Sequence, residues 1–80
     1  MKILFFGMLR DALGDEREVA PAGDETVAQL RTRLARLYPD AARDLLSPRI
    51  RVCVADAIVG EDFRLGGHDH VEFLPPVSGG

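Results

Sequence analysis

Only one stretch of this chain carries a sustained helical period, and short runs with strand character flank it on both sides. In TVAQLRTRLARL, Val27, Leu30, Leu34 and Leu37 recur at steps of three and four, which places them on one stripe of a helix. Thr26 and Gln29 fit a capping box at its start, and Asp24 and Glu25 put negative charge near its positive end. Pro39 disfavours helical backbone at Tyr38, so the helix is predicted to stop there. A single amphipathic helix must bury its stripe against something, and the flanking runs offer a sheet.

Lys2–Phe6 (KILFF) is a short apolar run ended by Gly7, and MLRDALGD reads as a turn or short helical loop stopped at Gly14. Arg17–Ala20 is predicted as a second strand, with APAGD as its exit. After the helix, DAARDLLSP is a shorter helical turn anchored by Leu45 and Leu46. Ile50–Val54 alternates and reads as a third strand, Ala57–Val59 as a short fourth, RLGGHD as a turn and Val71–Leu74 as the last strand. The order predicts an α+β fold: a mixed sheet of four to five strands, its closing strand beside the first, with one long helix across one face. This order resembles the β-grasp, the fold of ubiquitin.

Period-two alternation assigns the faces. With Lys2, Arg51 and Glu72 toward water, Ile3, Phe5, Ile50, Val52, Val54, Val71 and Phe73 point to the helix. Leu4, Phe6, Cys53, Ala55 and Leu74 then share the uncovered face. A contiguous apolar patch of that kind marks a partner site, with Leu4, Phe6 and Leu74 as its interface residues.

Eighty residues make one small domain that buries little more than ~60% of its unfolded surface, which leaves little room for a deep active site. Net charge of −3 argues against a nucleic-acid partner, which needs a basic footprint. Nine of the ten basic residues are arginine, and Arg31, Arg33 and Arg36 read as a solvated helix face. No apolar run approaches the ~20 residues of a membrane span, and MKILFFG is too short for a signal peptide. One cysteine excludes an internal disulfide and a four-cysteine iron–sulfur site. A cytoplasmic location is expected.

The ending FLPPVSGG bears the chemistry. Pro75 and Pro76 lack amide hydrogens, so residues 1–75 are expected to form the domain and residues 76–80 an extended tail. At ~3.1 Å per residue the tail reaches on the order of 15 Å. After Pro76, Val77 and Ser78, the glycines Gly79 and Gly80 have no side chains, so the tip can enter a narrow slot. A terminal carboxylate with a pKa near ~3.5 is ionised and a poor electrophile, so it needs activation, as by adenylation with ATP. A sulfur nucleophile then gives a thiocarboxylate; an amine gives an amide and a protein tag. A chance terminal Gly-Gly occurs about once in 200 chains. Directly after a strand and Pro-Pro it is far more specific.

The residues KILFFGMLRDALG, with Arg10, Asp11 and Gly14, together with TVAQLRTRL and LGGHDHVEFLPPVSGG, resemble the small subunit of molybdopterin synthase, the sulfur-carrier family of molybdenum cofactor biosynthesis. The resemblance implies that an E1-like adenylyltransferase activates Gly80 and that a sulfur donor converts it to a thiocarboxylate (a C-terminal 1-thioglycine). The tail then enters the large synthase subunit, within a heterotetramer, and passes sulfur to cyclic pyranopterin monophosphate. The large subunit supplies the active site; the small one binds no cofactor or metal of its own. Asp56, where the family often has asparagine, and His68 and His70, where it is more acidic, depart from the pattern and bear on partner choice. A thiazole-type sulfur carrier and a ubiquitin-like protein modifier are the alternatives. Cys53 reads as a structural thiol, and His68-Asp69-His70 as ordinary turn residues too few for a metal.

Overall fold

The computed structural model describes residues 1–21, 23–68 and 70–76. Their elements run β1 (Lys2–Phe5), α1 (Met8–Leu13), β2 (Glu16–Glu18), α2 (Val27–Leu37), a 3-10 turn (Pro39–Ala41), α3 (Ala42–Leu45), β3 (Arg51–Val54), β4 (Ala57–Val59) and β5 (His70–Leu74). The sheet order is β2-β1-β5-β3-β4, with β1 and β5 parallel and the other neighbours antiparallel. The closing strand therefore lies beside the first, at the centre of a mixed sheet. This is the β-grasp arrangement.

Alternation works as expected on the covered face. Ile3, Phe5, Val52, Val54, Val71 and Phe73 are buried beneath Val27, Leu30 and Leu34 of α2. Phe5 and Phe73, neighbours in the β1–β5 register, hold their rings 5.7 Å apart at 47°. The capping box at the start of α2 is complete: the Gln29 amide donates to Thr26 Oγ1 (3.2 Å), and the Thr26 amide donates to Gln29 Oε1 (2.9 Å). The helix ends at Tyr38, whose amide donates to the Leu34 carbonyl (2.8 Å) before Pro39.

Three expectations fail for physical reasons. Leu37 and Leu46 are 53% and 51% exposed rather than anchored in the core. At about 100° per residue, Leu37 stands roughly 80° from Val27 on the helix, beyond the covered arc. Arg31 lies about 40° to the other side and is only 4% exposed, so it belongs to no solvated face. Its guanidinium donates through Nη1 to the carbonyls of Leu45 (2.9 Å) and Ser47 (3.0 Å), and through Nη2 to that of Ile50. Its Nε stands 2.9 Å from the Glu61 carboxylate, and the group lies 5.7 Å from the Phe73 ring. One buried cation thus ties α2 to the segment that leads from α3 into β3.

Smaller shifts concern strand ends. The second strand is Glu16–Glu18 rather than Arg17–Ala20, because pairing follows the register of Lys2 with Glu18 and Leu4 with Glu16 on an exposed edge. Met8–Leu13 is a true short helix, closed by the Gly14 amide donating to the Arg10 carbonyl (2.8 Å).

Candidate functional site

The uncovered face is assembled row by row from the strand registers. In the central row, Leu4 of β1 stands beside Glu72 of β5, Glu72 beside Cys53 of β3, and Cys53 beside Ile58 of β4. In the next row Leu74 pairs with Arg51, and the Phe6 amide donates to the Phe73 carbonyl (3.2 Å), which carries β1–β5 pairing one step further. Leu4 and Leu74 are half-buried, Phe6 is 37% exposed and Ile58 is 61% exposed. Leu4, Phe6 and Leu74 are thus brought to one face, as the sequence predicts, and Ile58 joins them. Ala55 does not: it and Asp56 take positive φ (52° and 66°) in the two-residue turn between β3 and β4.

Cys53 does lie on the uncovered face, but it is buried there, set between Glu72 and Ile58. Burial pushes its thiol above the ordinary range. The Glu72 charge, a hydrogen bond to that carboxylate and the charge of Asp56 push the same way, against a smaller opposing effect of a backbone hydrogen bond at Asp56. The thiol is therefore neutral at pH 7, a poor nucleophile.

Leu74 is the last residue of β5, and Pro75 packs where β1 turns into α1. Gly7 sits at that turn with φ 63°, and a Cβ there would lie 2.7 Å from the Pro75 Cβ. Only glycine accommodates this backbone and this approach together. Gly7 thereby sets the place where the chain leaves the sheet, beside Phe6. Its sole mark in the sequence is a glycine directly after an apolar strand. Val77, Ser78, Gly79 and Gly80, the end of the expected tail with its reactive tip, lie outside the described residues.

Arg10 of the opening motif pairs with Asp15 (2.6 Å) next to α1. His68 stacks against Phe63 at 5.8 Å, while His70 begins β5; Asp69 lies outside the described residues. An open groove of about 760 Å³ runs along α2 between Asp24 and Leu37, but no residue of the sheet or of the Pro75 corner lines it. Among the described residues, no helix is long and apolar enough to cross a membrane. The site is the uncovered sheet face, with Leu4, Phe6, Leu74 and Ile58 set around Glu72 and a strand exit at its rim.

A family model for the ThiS family matches residues 3–80. The chain belongs to the ThiS family. It is 32% identical over 80 residues to the molybdopterin synthase sulfur carrier subunit of Escherichia coli (strain K12), covering all of this chain and 99% of that one. The crystal structure of SAMP1, small archaeal modifier protein 1, from Haloferax volcanii superposes with a TM-score of 0.77 at 26% identity, over 99% of this chain and 97% of that one. A Pyrococcus furiosus protein provisionally named molybdopterin converting factor subunit 1 superposes at 0.76 with 22% identity, over 95% of each chain. These likenesses make the fold a ubiquitin-like β-grasp.

Proposed function

We propose that this ThiS-family chain is a sulfur carrier of molybdenum cofactor biosynthesis whose reactive group is the C-terminal carboxylate of Gly80. The observation that carries the reading is the exit at Pro75: the central strand delivers the chain to the rim of the face that carries Leu4, Phe6 and Leu74, seated on Gly7. The match to the Escherichia coli sulfur carrier subunit along its whole length supports the pathway. An E1-like adenylyltransferase joins the Gly80 carboxylate to AMP from ATP, releasing pyrophosphate. Sulfide then attacks the acyl carbonyl and expels AMP, leaving the thiocarboxylate. If the donor is a persulfide, the attack expels AMP to give an acyl disulfide, which a second thiol cleaves by forming a disulfide with the donor and releasing the thiocarboxylate. The large synthase subunit docks on Leu4, Phe6 and Leu74, admits Pro76 to Gly80, and accepts the sulfur for cyclic pyranopterin monophosphate.

Incubation with the adenylating enzyme, ATP and a sulfur source tests this directly. The protein should become about 16 Da heavier, one oxygen exchanged for sulfur, and a chain lacking Gly80 should not. No mass change in the intact chain under those conditions would sink the reading. The likeness to SAMP1, a modifier protein, favours a second one, in which activated Gly80 is joined to amines of other proteins. Isopeptide-linked adducts in lysate would favour it, and capture of the large partner would decide between molybdopterin and a thiazole-type pathway.

A further inference from the structure

The open face sets Leu4, Phe6, Leu74 and Ile58 around one acid, Glu72, with the charged side chains of Lys2, Glu16 and Arg51 in the neighbouring positions. The register sets Glu72 between Leu4 and Cys53, with Leu74 two residues further along the same strand and on the same side. Glu72 is half-buried. The other acids of the sheet are compensated: Glu16 lies 3.7 Å from the Lys2 ammonium and Glu18 lies 3.3 Å from the N-terminal amine. Among the described residues Glu72 forms no ion pair. Of the basic residues on its own face, Lys2 is engaged by Glu16, His70 lies two residues back on the same strand, and Arg51 stands diagonally one row away, opposite Leu74; none of them contacts the Glu72 carboxylate.

In the free protein such a carboxylate keeps its water. A protein surface laid over Leu4, Phe6 and Leu74 strips that water away. A buried carboxylate left without a cation costs more than nearby apolar contacts return. We infer that the surface covering this face carries one cationic side chain, an arginine, seated on Glu72 between the apolar contacts made by Leu4, Phe6 and Leu74. The inference deepens the docking reading above and rests on it. Arginine suits the position better than lysine because its planar fork donates to both carboxylate oxygens while its flat sides lie against apolar neighbours such as Leu4 and Leu74. The pair makes Glu72 a specificity determinant. The leucines and Phe6 supply contact with any apolar partner, whereas the stranded carboxylate rejects a partner that lacks the cation.

Titration calorimetry with the large synthase subunit and the adenylating enzyme of the same genome tests this on wild type, Glu72→Gln and Leu4→Asp. Glu72→Gln keeps the shape and removes the charge. It should weaken binding on the order of 30-fold or more, with the thermal midpoint of the free protein unchanged. Leu4→Asp should abolish binding. If Glu72→Gln binds within roughly twofold of wild type while Leu4→Asp does not bind, the inferred cation is absent although the docking face is real. If Leu4→Asp binds like wild type, or if sedimentation shows two copies of this chain paired through the face, the docking reading fails and the inference falls with it.

Discussion

The two faces of the sheet come from the same strands and the same alternation, yet only one of them is finished. On the covered face the large side chains are buried in one core with those of α2, and the one charged residue buried among the described residues, Arg31, has acceptors for its Nε, Nη1 and Nη2. On the open face Phe6 and Ile58 remain in solvent, and Glu72 has no cation among the described residues. A stable domain can be built from the first face alone. On the docking reading proposed above, the second is half of a contact, and the chain leaves the sheet at its rim.

Substitutions can break this contrast. Arg31→Met strikes the finished face hardest, since it strands the carbonyls of Leu45, Ser47 and Ile50. It should cost about 3 kcal/mol and lower Tm by more than about 10 °C in a thermal melt. A shift of a degree or so would mean that the carbonyls rehydrate freely. Gly7→Val, at φ 63° and against Pro75, should cost about 2 kcal/mol and slow adenylation of the tail carboxylate beyond any loss in binding. Its readout is the split between kcat and KM for the adenylating enzyme.

Phe6→Ala should behave in the opposite way to Arg31→Met. Stability should change by less than about 1 kcal/mol, while partner affinity falls on the order of tenfold by calorimetry. Equal losses in both would erase the distinction between the faces. The smallest effect concerns Cys53, whose thiol is raised above 9.0 by burial and by Glu72. Folding favours its neutral form, so this contribution is complete below the unfolded thiol's range and is lost as pH rises through the folded value. Alkylation by iodoacetamide at pH 7 should therefore be slower than for the unfolded chain, and faster in Glu72→Gln than in wild type.

Much of the covered face could be read from the sequence, because period and burial coincide there. Val71 and Phe73 alternate with Glu72, and Thr26 with Gln29 marks the helix start; the structure places all of them as expected. Arg31 escaped because charge is ordinarily evidence of exposure, although its spacing, four after Val27 and three before Leu34, marks a buried position. Leu37 and Leu46 misled for the converse reason: their period or apolar character fitted, but no element covers them. On the open face, alternation alone found Leu4, Phe6 and Leu74. It could not show that Cys53 is walled in by its cross-strand neighbours, or that Ala55 has left the strand for a turn. Those depend on register, which a single strand's sequence does not contain.

The central claim is that the open face exists to present Gly80 for sulfur loading. Its most direct test is top-down mass spectrometry of the protein isolated from cells with and without the gene for the adenylating enzyme. A terminal fragment about 16 Da heavier, found only when that enzyme is present, is the predicted result. The same unmodified Gly80 fragment in both preparations, from cells actively making molybdenum cofactor, would contradict it.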